Sequence, residues 1–180
     1  MSSMASVGIT SVSVDRPEGF RRVAAALAAR GHPHPPRWLD VAARTAQEAA
    51  DVLGVGVGQI AKSVIFRRLL DDAVVLVVTS GDRRVDEARV ARHCGALGRA
   101  DAAFIKARTG FSIGGVAPIG HLAAPVTLID RGLFRFAEIW AAAGHPNGVF
   151  RLSPQQLEQL TGAPVADVTQ NPHGKESSSP

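Results

Sequence analysis

A glycine-rich apolar segment, GFSIGGVAPIGH, runs from Gly110 to His121 and combines four glycines and one proline with no formal charge. A flexible linker would be more polar. A sheet strand would not accept Gly114-Gly115 followed by Pro118, because glycine and proline weaken or interrupt its hydrogen-bond ladder. Glycine permits positive φ and close backbone approach, so the pair could present bare N–H groups to a carbonyl or phosphate oxygen. A tight bend between buried strands is the alternative.

Lys62 is the second candidate for chemistry. The chain has 17 arginines but only three lysines, Lys62, Lys106 and Lys175, and Lys62 lies in QIAKSVIF beside an apolar run typical of a strand. Its ammonium could bind a phosphate or hold a reacting carbonyl, while N–H groups of the glycine segment stabilise the developing oxyanion. An ester would then need only a positioned water and no side-chain nucleophile. A buried lysine paired with Asp82 or Asp130 is the structural alternative.

Two other patterns lack the spacing that their chemistry requires. The segment GVGVGQIAKS (54–63) has Ala61 where a P-loop needs glycine, and its glycines alternate after a helix, unlike a dinucleotide-binding turn. Cys94 is next to His93 in sequence only, and we interpret it as a buried structural thiol. The histidines show no metal-ligand spacing and there is no cysteine cluster, so we predict no metal and no cofactor.

The histidines near proline or glycine differ in what their positions suggest. His32 and His34 lie in the proline-rich connection HPHPP (32–36), and we expect them to be exposed to solvent. His121 closes the glycine-rich segment, where hydrogen bonding to the loop backbone and a functional role are both open.

Length and composition predict one soluble domain. The chain has 180 residues, of which 46% are hydrophobic and 20% charged, and this is ample for a single core. We expect the domain to span 14–169, with disordered ends at 1–13 and 170–180. No apolar run is long enough for a membrane span, the N-terminus is not a secretory signal, and the single cysteine agrees with a cytoplasmic location.

Hydrophobic periodicity and turn residues predict an α+β fold. Thr45-x-x-Glu48 and Asp15-x-x-Glu18 are capping-box patterns, and Asp71-Asp72 separates two apolar runs as in a hairpin. Residues 134–140 are ambiguous. The predicted helices cover 15–30, 45–53, 85–93, 101–108 and 153–162, and the predicted strands cover 37–41, 63–70, 73–79, 126–129, 148–152 and 165–168. Strands and helices do not alternate as in βαβ units, which favours α+β.

Several segments together resemble one known family, the YbaK/prolyl-tRNA-synthetase-associated domains. The resemblance covers roughly residues 16–168, with its blocks in the family's order. The blocks are RTAQEAADVLGV (44–55), GQIAKSVIF (58–66), VTSGDRRVD (78–86), TGFSIGGVAPIGH (109–121), TLID (127–130) and FRLSPQQLEQLTGA (150–163).

The resemblance implies a mixed, barrel-like β-sheet surrounded by helices, and an aminoacyl-tRNA deacylase that hydrolyses the ester of mischarged tRNA. The family's essential lysine falls on Lys62 and its substrate-facing glycines on Gly114 and Gly115. His121 would brace that loop, and Ala142 would help to shape a small pocket. The chain shows no synthetase module, so we expect a free-standing, trans-acting editor of a small amino acid, with tRNA-Pro as one candidate carrier. A terminal ribose hydroxyl of the tRNA would help to activate the water.

Three positions depart from the family's pattern. Ala142 and Val149 stand where cysteine-editing members have Ser and Asp, and Ser63 follows the lysine where alanine-editing members have Asn. We therefore keep a second hypothesis, a non-catalytic module that binds tRNA or a synthetase. The expected partners are mischarged tRNA and, as a further candidate, an aminoacyl-tRNA synthetase, with no membrane and no DNA. The net charge of +4 permits an anionic partner, although such a balance is also common in proteins that bind no nucleic acid. Sequence leaves open whether Arg67, Arg68, Arg83 and Arg84 form one face.

Overall fold

The computed structural model describes residues 15–171. The segment 1–13, predicted to be disordered, and residues 172–180 of the predicted tail lie outside the described residues. The helices are α1 (Glu18–Ala29), α2 (Ala46–Leu53), α3 (Glu87–Cys94), α4 (Ala102–Thr109) and α5 (Pro154–Thr161), with 3-10 turns at Val57–Gln59 and Arg131–Arg135. The strands are β1 (Arg37–Trp38), β2 (Ile60–Arg68), β3 (Val74–Ser80), β4 (Leu97–Arg99), β5 (Val126–Asp130), β6 (Ile139–Ala142), β7 (Gly148–Leu152) and β8 (Val165–Ala166).

All eight strands form one mixed sheet. Its order is β1-β7-β6-β2-β3-β5-β8, and β4 pairs with β2 off this path. The β2–β6, β3–β5 and β5–β8 pairs are parallel, and the other pairs are antiparallel. With five α-helices around it, this is the mixed α+β architecture that the sequence predicts.

The two faces of the sheet carry different cores, because successive side chains of a strand point to opposite faces. One face holds the main core, where Ala61, Leu76 and Phe150 pack with residues of α1, α4 and α5. The other face carries two smaller clusters. Ile60 belongs to the cluster under α2, and Phe66 belongs to the cluster under α3. Lys62 lies between Ile60 and Phe66 on this face, and therefore between the two helices.

Local signals placed most elements correctly. Thr45 and Gly54 cap α2 as predicted, with the Thr45 Oγ1 accepting from the Glu48 N–H and Gly54 in the left-handed region. Ser153 caps α5, which has Pro154 in its first turn. In the hairpin turn, Asp72 has a φ of 57°, a conformation that aspartate tolerates better than most residues.

Other elements differ from the prediction at their ends. The helix predicted from residue 15 begins at Glu18 after Pro17, which has a φ of −53° and no side-chain cap. Pro17 has a ψ of 148°, outside the helical range, so the helix begins only after it, and the Pro17 carbonyl accepts from the Arg21 N–H at 3.1 Å. The predicted strand 37–41 is reduced to the two residues that pair with β7. Strand β2 begins three residues before the predicted start, because Ile60 and Ala61 pair with β6.

The burial of three side chains differs from the prediction. His32 and His34 were expected in solvent, but both are half-buried against β7, where the His32 Nε2 lies 2.8 Å from the Arg151 carbonyl oxygen. The Arg151 guanidinium lies 3.2 Å from the His34 Nδ1. Cys94 was expected to be buried, but it is half-buried at the end of α3. This partial burial raises the pKa of the Cys94 thiol.

No helix within residues 15–171 is long and apolar enough to cross a membrane.

Candidate active site

Strand β2 has an interrupted edge at Lys62. On the side away from β3, β2 pairs with β6 at Ile60 and Ala61 and with β4 from Phe66 onward. Residues 62–65 have no strand partner on that side within the described part of the chain. The Ile60 carbonyl accepts from Gly81 on the β3 side. Because backbone groups alternate along a strand, the backbone groups of Ser63 point to the open side. A cleft therefore opens where β2 and β6 separate.

The Lys62 ammonium is an unpaired charge in a partly buried position. It makes no ion pair and no hydrogen bond with any residue from 15 to 171. Asp82 is engaged by Arg135, with Nη2 and Oδ1 2.8 Å apart. Asp130 accepts from the N–H groups of Gly132 and Val168. The alternative of a lysine paired with one of these carboxylates is therefore not what the structure shows. Thr79, opposite Lys62 on β3, has a buried Oγ1 with no partner among the same residues.

Burial lowers the pKa of Lys62 from its ordinary value of 10.5, and the nearby Arg84 lowers it further. Asp82 acts in the opposite direction but does not cancel these two effects. The ammonium therefore loses its proton at a lower pH than a free lysine does. Any function that needs the charged form declines as the pH rises through this lowered pKa.

This electrostatic environment gives a testable pH dependence. Arg84→Gln removes the repulsive cation and should raise the pKa of Lys62, whereas Asp82→Asn should lower it. Side-chain NMR of labelled lysine measures this directly, because only three lysines contribute signals. Lys106 and Lys175 serve as internal controls. Identical Lys62 titrations in wild type and Arg84→Gln would contradict the electrostatic assignment.

The glycine-rich segment is fixed to the body of the protein by both its ends. Phe111 and Ala117 are fully buried in the main core. The Arg22 Nε–H donates to the Gly120 carbonyl at 2.5 Å. His121 lies with its Nε2 2.6 Å from the Ala117 carbonyl and its ring edge-on to Phe111. The segment is therefore anchored to the main core at both of its ends.

Gly114 and Gly115 differ in backbone conformation, burial and neighbours. Gly114 has a φ of 87° and lines the cavity that is described below. A Cβ built on Gly114 would lie 3.5 Å from the Arg44 Cα. Gly115 is buried, and its N–H donates to the Ser112 carbonyl at 3.0 Å, so this donor is already occupied. A Cβ on Gly115 would lie 2.7 Å from the His145 Cα. Gly114 is thus the member of the pair that lines the cavity, and Gly115 allows the His145 backbone to approach closely behind it.

Gly115→Ala should lower the free energy of unfolding by about 1–3 kcal/mol, because its methyl group overlaps the His145 backbone, which cannot simply rotate away. Gly56→Ala is the matched control, since Gly56 has a φ of −70° and its ideal Cβ has no neighbour closer than 3.8 Å. Urea denaturation of both variants measures the difference. Equal free energies of unfolding for the two variants would show that the glycine-rich segment adjusts to the added methyl group at little cost.

The cleft leads into a cavity of about 330 Å³ between β2, β6, β7, the start of α2 and the glycine segment. This size falls at the lower end of the range typical of small-molecule sites. Its walls are mainly apolar. The lining residues are Ala43, Arg44, Thr45, Ala46, Ala49, Ile60, Ala61, Lys62, Ser63, Ile113, Gly114, Val116, Trp140, Ala141, Ala142, Gly148 and Val149.

Two buried polar atoms at this cavity have no hydrogen-bond partner among the described residues. Ser63 Oγ and Trp140 Nε1 are buried without a hydrogen-bond partner between residues 15 and 171. A buried polar group without a partner is costly, which makes both atoms candidates for binding a ligand. No aspartate, glutamate, histidine or cysteine is among the lining residues. The described lining therefore offers the cations of Lys62 and Arg44 and several hydrogen-bonding groups, and it offers no carboxylate, imidazole or thiol.

Five of the residues singled out in the sequence meet in this cavity, namely Lys62, Ser63, Gly114, Ala142 and Val149. Ala142 and Val149 are direct cross-strand neighbours, and both line it. Gly115 and His121 are not among its lining residues. Burial lowers the pKa of His121, and its ring holds the loop backbone from behind.

Sequence reasoning missed Arg44, Ile113 and Trp140. Arg44 directly precedes the capping box of α2. The capping box predicts where the helix begins, but it does not predict that Arg44 lines the cavity. Trp140 lay in the ambiguous segment 134–140 and is now the second residue of β6. Ile113 is exposed despite its apolar side chain, and that exposure is visible only in the structure.

A family model, described as the aminoacyl-tRNA editing domain, matches residues 40–160 of the chain. The matched segment contains every residue that lines the cavity. Among curated proteins, the Bacillus subtilis (strain 168) "Uncharacterized protein YwhH" is 32% identical over 128 residues, which are 71% of this chain and 81% of that protein.

Solved structures give a similar result. The chain resembles a structure described as a "putative trans-editing enzyme for prolyl tRNA synthetase", with 38% identity and a TM-score of 0.80 over 87% of this chain and 99% of that one. It also resembles the structure of "hypothetical protein APE2540", with 31% identity and a TM-score of 0.75 over 83% of this chain and 99% of that one.

Proposed function

Because the chain belongs to the aminoacyl-tRNA editing domain family, we propose that it hydrolyses the ester bond of mischarged tRNA and acts in trans. The observation that carries this proposal is the unpaired Lys62 ammonium at the wall of a small, mainly apolar cavity. An ester carbonyl beside that ammonium would have its developing negative charge stabilised where little water competes.

The reaction that fits these groups is direct attack by water. The water oxygen forms a bond to the ester carbon, and the bond from that carbon to the ribose oxygen then breaks. One water proton ends on the ribose oxygen, which leaves as a hydroxyl, and the other passes to solvent as the amino acid leaves as a carboxylate. In this proposal Lys62 stabilises the oxyanion and the Gly114 N–H assists it. Since the described cavity lining holds no carboxylate or imidazole, the neighbouring ribose hydroxyl of the substrate is the proposed group that orients the water.

The cavity favours a small amino acid. The space that remains beside an ester at Lys62 is bounded by Ala142 and Val149, which offer no charged or hydrogen-bonding side chain. A separate editing site is useful here, since a synthetase pocket rejects a side chain smaller by one methylene by only about 1–3 kcal/mol. Alanine and amino acids of similar size are therefore the proposed acyl groups, and proline tRNA is the first carrier to test.

The proposed partner is the acceptor end of a tRNA, and a synthetase that releases the mischarged product is a further one. The net charge of +4 would favour approach to the phosphates, and this attraction should weaken as salt rises. The cytoplasm, where charged tRNA is made and used, is the proposed compartment.

A non-catalytic tRNA-binding module is the second candidate, because Ala142 and Val149 leave the cavity without a side-chain base. A panel of tRNAs, each charged with one labelled amino acid, separates the two. A deacylase releases small amino acids faster than buffer alone does and spares the correctly charged tRNA. Retained tRNA binding with no acceleration for any acyl group would favour the module and contradict the proposed enzyme.

A further inference from the structure

The Asp82 carboxylate acts on Lys62 through its charge, yet it is bound to an arginine from a distant segment. Arg135 ends the 3-10 turn that follows β5. Its Nη2–H donates to the Asp82 Oδ1 at 2.8 Å, and its Nη1–H donates to the Oδ2 at 3.3 Å. Both oxygens of the carboxylate are therefore engaged by the guanidinium fork, which is stronger and more directional than a single ion pair.

Arg135 is itself held in this position by three further contacts. Its Nε–H donates to the Gly132 carbonyl at 2.7 Å, and its Nη2–H also donates to the Ser80 Oγ at 2.9 Å. Its guanidinium lies 4.8 Å from the ring centroid of Phe136. Because ordering a long side chain costs conformational entropy, these contacts reduce what the pair with Asp82 would otherwise cost.

The same contacts reach the turn that leads into β2. Ser80 is fully buried, and its Oγ–H donates to the Gly58 carbonyl. Gly58 belongs to the 3-10 turn Val57–Gln59, directly before β2. A Cβ on Gly58 would lie 2.9 Å from the Asp82 Oδ2, so the carboxylate packs against this turn. Asp82 is therefore held beside the beginning of the strand that carries Lys62.

Asp82 is a carboxylate that Lys62 would attract if it were not already bound. Burial alone would raise the pKa of the Asp82 carboxyl, but the hydrogen bonds from Arg135 help to outweigh burial and lower that pKa. The carboxylate therefore stays ionised while it is bound. Once released from Arg135, an ionised and partly buried carboxylate would gain from pairing with a nearby free cation. Lys62 is such a cation.

Four further charged groups line the same spaces as Lys62, which are the cavity and a groove beside α3. They are Arg44 at the start of α2, and Arg84, Asp86 and Glu87 before and at the start of α3. Asp86 is engaged in capping α3, where its Oδ1 accepts from the Arg89 N–H at 3.2 Å. The pKa of Lys62 responds to burial, then to Arg84 and then to Asp82. Asp82 is therefore the carboxylate whose release should affect Lys62 most.

We propose that Arg135 is a positioning residue, which keeps Lys62 free for the ester by holding the Asp82 carboxylate. Arg135 is not among the residues that line the cavity, and it acts through Asp82. While Asp82 is bound, the ammonium can stabilise the oxyanion. When Asp82 is released, the ester must compete with a carboxylate for the same ammonium. This role in catalysis rests on the proposed function, whereas the control of Lys62 by Arg135 does not.

Side-chain NMR titration of Lys62 in Arg135→Gln tests this control without any catalysis. The released Asp82 should raise the pKa of Lys62 above the wild-type value, because a nearby carboxylate favours the ammonium form. Arg131→Gln is the matched control, since Arg131 lies in the same 3-10 turn and forms an exposed pair with Asp167 at 3.2 Å. It should leave the titration unchanged. An unchanged pKa of Lys62 in Arg135→Gln, shown to be folded by circular dichroism, would overturn the proposal.

Single-turnover hydrolysis separates this role from a purely structural one. Arg135→Gln should lower the rate at least about tenfold, a part of the roughly 100-fold cost of removing an oxyanion-stabilising group. Adding Asp82→Asn removes the released carboxylate and should restore most of the lost rate, although it removes another native contact. A double variant as slow as Arg135→Gln would show a structural clamp and overturn the proposal. If wild type itself shows no hydrolysis, the proposed function fails, and the Lys62 titration alone decides the role of Arg135.

Discussion

Lys62→Ala should reduce deacylation by at least about 100-fold, the usual cost of removing one oxyanion-stabilising group. The ammonium is the one charged group in the described site that is partly buried, unpaired and beside the cavity. Its loss removes stabilisation that the transition state needs and the ground state hardly uses. The effect should therefore appear in kcat and in kcat/KM alike. Single-turnover hydrolysis of a mischarged tRNA measures it.

Two controls separate catalysis from folding in that experiment. Lys106→Ala removes an exposed lysine of α4, whose Nζ lies 3.2 Å from the Gly110 carbonyl, and should leave turnover unchanged. Lys62→Ala itself should fold normally, because the lysine has no described partner to lose and its lowered pKa shows that the charge is disfavoured in the folded state. An unchanged melting temperature with unchanged turnover would remove Lys62 from the mechanism.

Ala142→Leu should reduce kcat/KM about 100-fold, since displacing a bound ester by about 1 Å from its reactive geometry costs that much. Ala142 is half-buried and lines the cavity, so the larger side chain would occupy the space assigned to the amino acid. Ala142→Gly should have the opposite effect on selectivity and admit larger acyl groups. Competition between tRNAs charged with small and larger amino acids measures both changes.

Ala102→Leu, on the exposed start of α4, is the control for the same increase in size. It should retain wild-type turnover. If Ala142→Leu hydrolyses every substrate as wild type does, the amino acid does not bind beside β6 and the assignment of this wall is wrong.

Sequence alone predicted the elements that have local signals. Capping residues located α2 and α5, and the apolar runs around Asp71-Asp72 located the hairpin, because these signals act over a few residues. The α+β class also followed, since strands and helices did not alternate strictly. The resemblance then paired Lys62 with Gly114 across 51 intervening positions, which local patterns could not do.

What the sequence could not predict depends on contacts between distant segments. The three residues of β4 carry no strand pattern, and they pair because Leu97–Arg99 runs along the end of β2. The open edge of β2 exists only because β6 ends its pairing at Ala61. The hairpin arginines illustrate the same limit. Arg67 and Arg68 bind Asp72 and Asp71 at 2.6 and 2.8 Å, while Arg84 stays unpaired among the described residues.

The most direct test of the central claim is single-turnover hydrolysis, in ¹⁸O-labelled water, of proline tRNA charged with alanine and incubated with excess wild-type protein. Attack by water on the ester predicts release of alanine at least 100-fold faster than in buffer, with one ¹⁸O in its carboxylate and an intact tRNA 3′ end. Release at the buffer rate for alanine and for every other small amino acid, despite bound tRNA, would contradict it.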